Sequence, residues 1–203
     1  DMSVLPDLPT EASIKAASFG DEQFYFRALA YQLQNAGDTF GRTTPLKDYD
    51  YAKLEKWFFL LDTLDSESNF VPAMAAYYYS NTQYAPDVKY IVNYLEANAD
   101  KNPDKKWWWY SQAAYHAQFK LGDKQRALQI AYKLAAVNNP DVPMWARQMP
   151  AFILEDLGEK EQALVIAHDI LENYKEMPEG ELNFMYYFIK ERLEKMDDKE
   201  KKE

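Results

Sequence analysis

"LGDKQRALQIAYKL" (121–134) and "LGEKEQALVIAHDI" (157–170) align without a gap, and seven of their fourteen positions are identical. Their offset of 36 residues decides the fold. In each copy a glycine, Gly122 or Gly158, closes one helix, and an acidic residue, Asp123 or Glu159, opens the next, where the helix dipole favours negative charge. Apolar residues then return at helical spacing: Ala127, Ile130, Ala131 and Leu134 in one copy, Ala163, Ile166, Ala167 and Ile170 in the other. The same interval toward the N-terminus reaches Ile91, Tyr94 and Leu95, where Tyr90 would also serve, and a further 37 residues reach Leu54, Trp57, Phe58 and Leu61. A period of this length held through four passes is the mark of stacked helical repeats.

Between these stripes the spacing predicts partner helices over 71–83, 106–120 and 143–156. Asn69, "ADKNPD" and "NNPDVP" supply the turn signals before them. A further helix is predicted over 21–36. Another over 179–195 turns Leu182, Met185, Tyr186, Ile189 and Leu193 to one side and charges to the other, as a capping helix does. No strand-like alternation competes, so the chain reads as all-α. Pro150 falls inside a predicted helix and should kink or break it.

Composition bounds the function. No apolar run is long enough to cross a bilayer unaided. A net charge of −10 repels phosphate backbones and anionic lipid, which argues against nucleic acid as a partner. The absence of cysteine excludes disulfides, thiolate metal sites and cysteine nucleophiles. Pro6 and Pro9, among small polar residues, make 1–20 read as an extended linker, and the first residue, Asp1, fits a chain processed from a longer precursor.

Tyr110, Ala113, Ala114 and Ala117, followed by Gly122, Ala127 and Pro140, resemble the tetratricopeptide repeat (TPR), as do Ala146, Met149, Gly158 and Ala163 in the next copy. "LLDTLDSESN" (60–69) is similar to the end of a TPR second helix. The resemblance implies an α-solenoid of about four TPR-like helix pairs over 48–175. An N-terminal helix and long loop (21–47) would precede it, and a capping helix and charged tail (176–203) would follow. The interval of 36 or 37 departs from the roughly 34 usual for the family. TPR-like bacterial proteins of this size with a proline-bearing start resemble membrane-tethered periplasmic assembly factors, a cytoplasmic adaptor being the alternative.

"KWWWY" (106–110) sets three tryptophans side by side. Neighbours on a helix point about 100° apart, so the three cannot share one core stripe. The resemblance implies that first helices line a concave groove. It carries that lining onto Trp108, Ser111, Gln112, Tyr115, Gln118 and Phe119, with Trp107 and Trp109 flanking it. Tyr79 or Tyr78 joins from the preceding copy, and Met144, Arg147 and Gln148 from the following one. The expected partner contacts are therefore Tyr79, Trp108, Tyr115, Gln118, Phe119, Arg147 and Gln148, a surface suited to a protein or peptide. The Lys and Asn carboxylate clamp of chaperone-adaptor TPRs is missing, since its positions hold Ala75, Tyr79, Ser111, Tyr115 and Arg147.

Little points to catalysis, metal or cofactor. His116 and His168 lie on different repeats without acidic neighbours at ligand spacing and read as helix-surface residues. "GDTFG" (37–41) lacks the strand and Lys-Ser/Thr of a phosphate loop and reads as a turn. The stretch 37–51 reads as a long loop pinned by an Arg42 ion pair and a buried Phe40, with a second contact site as the other reading. Carboxylate pairs such as Asp48 with Asp50 and Asp62 with Asp65 leave a helical-solenoid hydrolase as the enzymatic alternative. It would need one carboxyl in an apolar pocket with a raised pKa.

Overall fold

The computed structural model describes residues 4–18, 20–39, 42–174 and 176–195, the side chains of Thr39 and Arg42 apart. The chain is all-α. Ten α-helices are formed among the described residues: α1 (Glu11–Ser18), α2 (Glu22–Gln34), α3 (Tyr51–Leu64), α4 (Phe70–Tyr77), α5 (Val88–Lys101), α6 (Pro103–Tyr115), α7 (Lys124–Ala135), α8 (Met144–Asp156), α9 (Lys160–Asn173) and α10 (Glu179–Tyr187). From α5 to α9 each helix packs on the next in sequence, and α3 also lies against α5.

The paired segments end and begin as their residues dictate. Gly122 and Gly158 take positive φ, 76° and 82°, the left-handed conformation that a side chain resists at a helix end. Asp123 caps α7 by accepting from the Arg126 amide at 2.9 Å. Ala127, Ile130, Ala131 and Leu134 are sealed, as are Ala163, Ala167 and Ile170, whereas Ile166 is half-buried. Alanine at these positions lets neighbouring helices approach closely, so the seam is apolar and thin.

Several expectations are corrected. The helix predicted over 71–83 stops at Tyr77 and continues as a 3₁₀ turn, Tyr79–Asn81. Pro150 does not break α8, which runs through it from Met144 to Asp156. The lost amide bond is tolerated where Pro150 is buried in packing. Beyond α6 and α10 the chain continues as π-helical segments, His116–Leu121 and Phe188–Glu194. A wider turn rotates the face that follows. In the last helix Phe188 is sealed, while Tyr186, expected inside and placed before the π segment, is half exposed.

The stretch expected to be an extended linker, 1–20, instead forms helix α1 over Glu11–Ser18 and is docked around Leu5. Leu5 is fully buried, and residues 4–9 lie along α3. The 37–51 loop folds into a two-residue ladder, Asp38–Thr39 with Arg42–Thr43, and then a 3₁₀ turn, Leu46–Asp48. Gly37, at φ 114°, sits so close to the Tyr49 ring that a Cβ there would meet its hydroxyl at 1.9 Å. The Phe40 expectation lies outside the described residues, as does the side chain of Arg42.

Candidate functional site

The three tryptophans divide as helix geometry demands. Trp109 is buried and donates Nε1–H to Asn69 Oδ1 at 3.0 Å. Trp107 is half-buried against the core. Trp108 keeps 38% of its surface exposed and donates to the Tyr77 hydroxyl at 2.7 Å. Lys106, just before them, departs from helical dihedrals and is buried, its ammonium 3.4 Å from the Ser68 carbonyl. Burial pushes that lysine below its usual pKa.

Trp108 is the middle of a larger aromatic surface. The rings of Trp107, Trp108 and Trp145 meet edge-on, with centroids 5.9–6.3 Å apart. Tyr77 extends this surface onto α4 through its bond to Trp108. About two turns further along, Tyr115 and Phe119 have ring centroids 5.0 Å apart and stand 49% and 65% exposed. Phe119 then borders an open cavity of about 520 Å³, shared with Gln118, Met149, Phe152 and Asp156. At the other end two hollows of about 440 and 490 Å³ share Gln34 and Phe70 and run along α2 and α4 past Tyr31, Met74 and Tyr77. Helices α2, α4, α6 and α8 thus turn exposed rings outward, while α5 and α7 turn sealed seams inward.

The expected partner contacts separate into those this surface holds and those the core holds. Trp108, Tyr115 and Phe119 lie on it. Gln118 does too, its amide donating to Asp156 Oδ2 at 3.2 Å. Tyr79 does not. Its ring is sealed among Tyr49, Phe58 and Tyr78, and its hydroxyl donates to the Leu33 carbonyl at 3.2 Å, because the 3₁₀ turn after α4 rotates it inward. Tyr78, the other candidate there, is half exposed. Gln148 is buried, with its amide nitrogen unpartnered among the described residues. Arg147 spends its guanidinium on the carbonyls of Ala135, Val137 and Asn139 at 2.9–3.2 Å and lies over the Tyr174 ring, so it closes the turn after α7. Two residues of the surface escaped the sequence reading, Tyr77 and Trp145. Trp145 follows Trp108 by 37 residues, so the repeat interval itself pointed to it.

His116 is a second correction. It is buried rather than on the surface, with Nε2 2.8 Å from the Ala76 carbonyl. That nitrogen therefore carries the proton, and Nδ1 is left buried without a partner among the described residues. Burial, aided by the Lys120 charge, lowers its pKa to about 4. His168 is exposed, as expected.

Of the carboxylate pairs read from the sequence, Asp62 is the member placed in the interior. Tyr94 donates to its Oδ1 at 2.7 Å, Asn98 to its Oδ2 at 2.8 Å, and Lys101 approaches to 3.6 Å. Desolvation raises its pKa against these bonds. Both oxygens are engaged by neighbours in the fold. Asp65, its sequence partner, accepts the backbone amides of Glu67 and Ser68 instead, as a turn former. Among the described residues no group of three or more His, Asp or Glu is placed to hold a metal ion. No family model, curated protein or solved structure matches this chain.

Proposed function

We propose that this chain is a non-enzymatic scaffold or adaptor: a TPR-like α-solenoid whose first helices, α4, α6 and α8, offer their aromatic wall to a peptide or partner subunit. One observation carries the reading. Along these helices Tyr77, Trp108, Tyr115, Phe119 and Trp145 keep 38–65% of their surface in water, while the seams between helices are sealed. Isolated exposed rings need no explanation, but two groups of rings in contact, Tyr77 with Trp108 and Trp145 and Tyr115 with Phe119, support an interaction surface. Trp and Tyr also give large contact area at little entropic cost, which is why they dominate binding hot spots.

The wall favours a partner that supplies apolar side chains rather than charge. Asp156 is already paired with Lys124 at 3.0 Å, and Glu155 with Arg192 at 2.6 Å. The enzymatic reading has a buried carboxyl of raised pKa in Asp62, but that group is fully hydrogen-bonded inside the fold. A pull-down with the full chain as bait, followed by titration of the recovered partner, tests the proposal. Trp108→Ala with Tyr115→Ala should weaken binding by about tenfold or more, while Asp62→Asn leaves it unchanged. Equal affinity of wild type and the double variant would refute it.

A further inference from the structure

Residues 4–9 are held on α3 in the manner of a bound peptide. Trp57 Nε1–H donates to the Pro6 carbonyl at 2.9 Å, and Lys53 Nζ donates to the Leu5 carbonyl at 3.0 Å. The same lysine pairs with Asp7 at 2.8 Å. Leu5 is sealed, and Val4 and Leu8 pack against the core beside it. Side chains of α3 thus hold two carbonyls and the one charge of this segment. Its two prolines lack amide hydrogens and hold it extended at low entropic cost.

The α3 side of the contact is built independently of this strap. Asp50 caps α3 by accepting the Lys53 amide at 3.0 Å, and Leu54, Phe58 and Leu61 anchor the helix in the core. Without the strap, Lys53, the Trp57 indole N–H and the slot filled by Leu5 would remain as a preformed receptor.

We propose that the α3 face bearing Lys53 and Trp57 is a binding site for extended proline-bearing peptides of the pattern Leu-Pro-Asp-Leu-Pro, occupied by the chain's own residues 5–9 and open to a partner segment of the same chemistry when the strap is displaced. The tether gives the strap a high effective concentration, so an outside peptide competes poorly until the strap is weakened. The site uses no residue of the aromatic wall, so the two readings stand or fall separately.

The test is fluorescence anisotropy with the labelled peptide SVLPDLPTE and full-length protein. Leu5→Asp, which expels the strap's anchor, should bind the peptide about tenfold or more tighter than wild type. Replacing both peptide prolines by alanine should remove that gain. Lys53→Glu reverses the charge that faces Asp7 and repels the Leu5 carbonyl, so that variant should prefer SVLPKLPTE over SVLPDLPTE, the opposite of Leu5→Asp. A folded Leu5→Asp protein that ignores the peptide, or binding indifferent to the prolines and to the charge swap, overturns the proposal. Lys53 lies at the rim, 18% exposed. Should Leu5→Asp fail to fold, Lys53→Glu decides alone, and no preference for the lysine peptide refutes the site.

Discussion

The α5 and α7 seams occupy corresponding places 36 residues apart, yet they are built from different chemistry. Where α7 presents Leu134, α5 presents Asn98, equally sealed, and Asn98 is there to meet Asp62 of α3 and the Tyr94 hydroxyl. Among the buried polar residues, all but Gln148 lie before residue 120. The seams of the later part close mainly by apolar fit, whereas the α5 seam of the earlier part depends on buried hydrogen bonds. Apolar seams tolerate loss of shape in proportion to volume, and polar seams fail when one partner goes.

Three changes break or sharpen this contrast. The largest is Leu134→Ala, which empties a sealed site in the apolar seam and should cost about 2–5 kcal/mol by urea unfolding, with helicity retained. Next comes acid. Unfolded His116 takes up a proton near pH 6.5, whereas the buried imidazole resists until about 4. The unfolded chain therefore binds the extra proton in this window, and stability present above pH 6.5 is lost as pH falls toward 4, by about 3 kcal/mol. The difference between wild type and His116→Gln across that range isolates the histidine from the carboxylates, and parallel curves would contradict its buried neutral state.

Smaller again is the polar seam itself. Asn98→Leu copies the α7 pattern but strips a donor from buried Asp62, and it should destabilise by about 1–3 kcal/mol rather than help. Asp62→Asn should be tolerated, because Asn98 Oδ1, unpartnered now, can turn to accept from the new amide. Asp62 titrates in the opposite sense to His116. Its raised pKa means that the folded state holds the proton longer, so stability falls as pH rises through its titration, and Asp62→Asn should remove that fall.

The same contrast explains what could be read from the letters. The seams of α7 and α9 announced themselves because alanine, isoleucine and leucine recur at one interval. The α5 seam was blurred because Tyr90 competes with Ile91 for the register, and its Asn98 stands there for a reason that lies on another helix. On the aromatic surface, Trp108, Tyr115 and Phe119 were reached through the resemblance to TPR first helices, helical phase adding only that the three tryptophans cannot share one stripe. Tyr79 was misplaced because α4 gives way there to a 3₁₀ turn, which leaves no sequence signal. His116 and Arg147 were misjudged because their partners, the Ala76, Ala135, Val137 and Asn139 carbonyls, are backbone atoms that no residue name reveals.

Sealed seams behind an open wall of rings remain the central claim, and the unfolding free energy of Trp108→Ala with Tyr115→Ala tests it most directly. Half-exposed rings should cost no more than about 2 kcal/mol together when truncated. A loss of about 5 kcal/mol or more, as expected when buried aromatic side chains are removed, would place both rings in the core and close the wall to any partner.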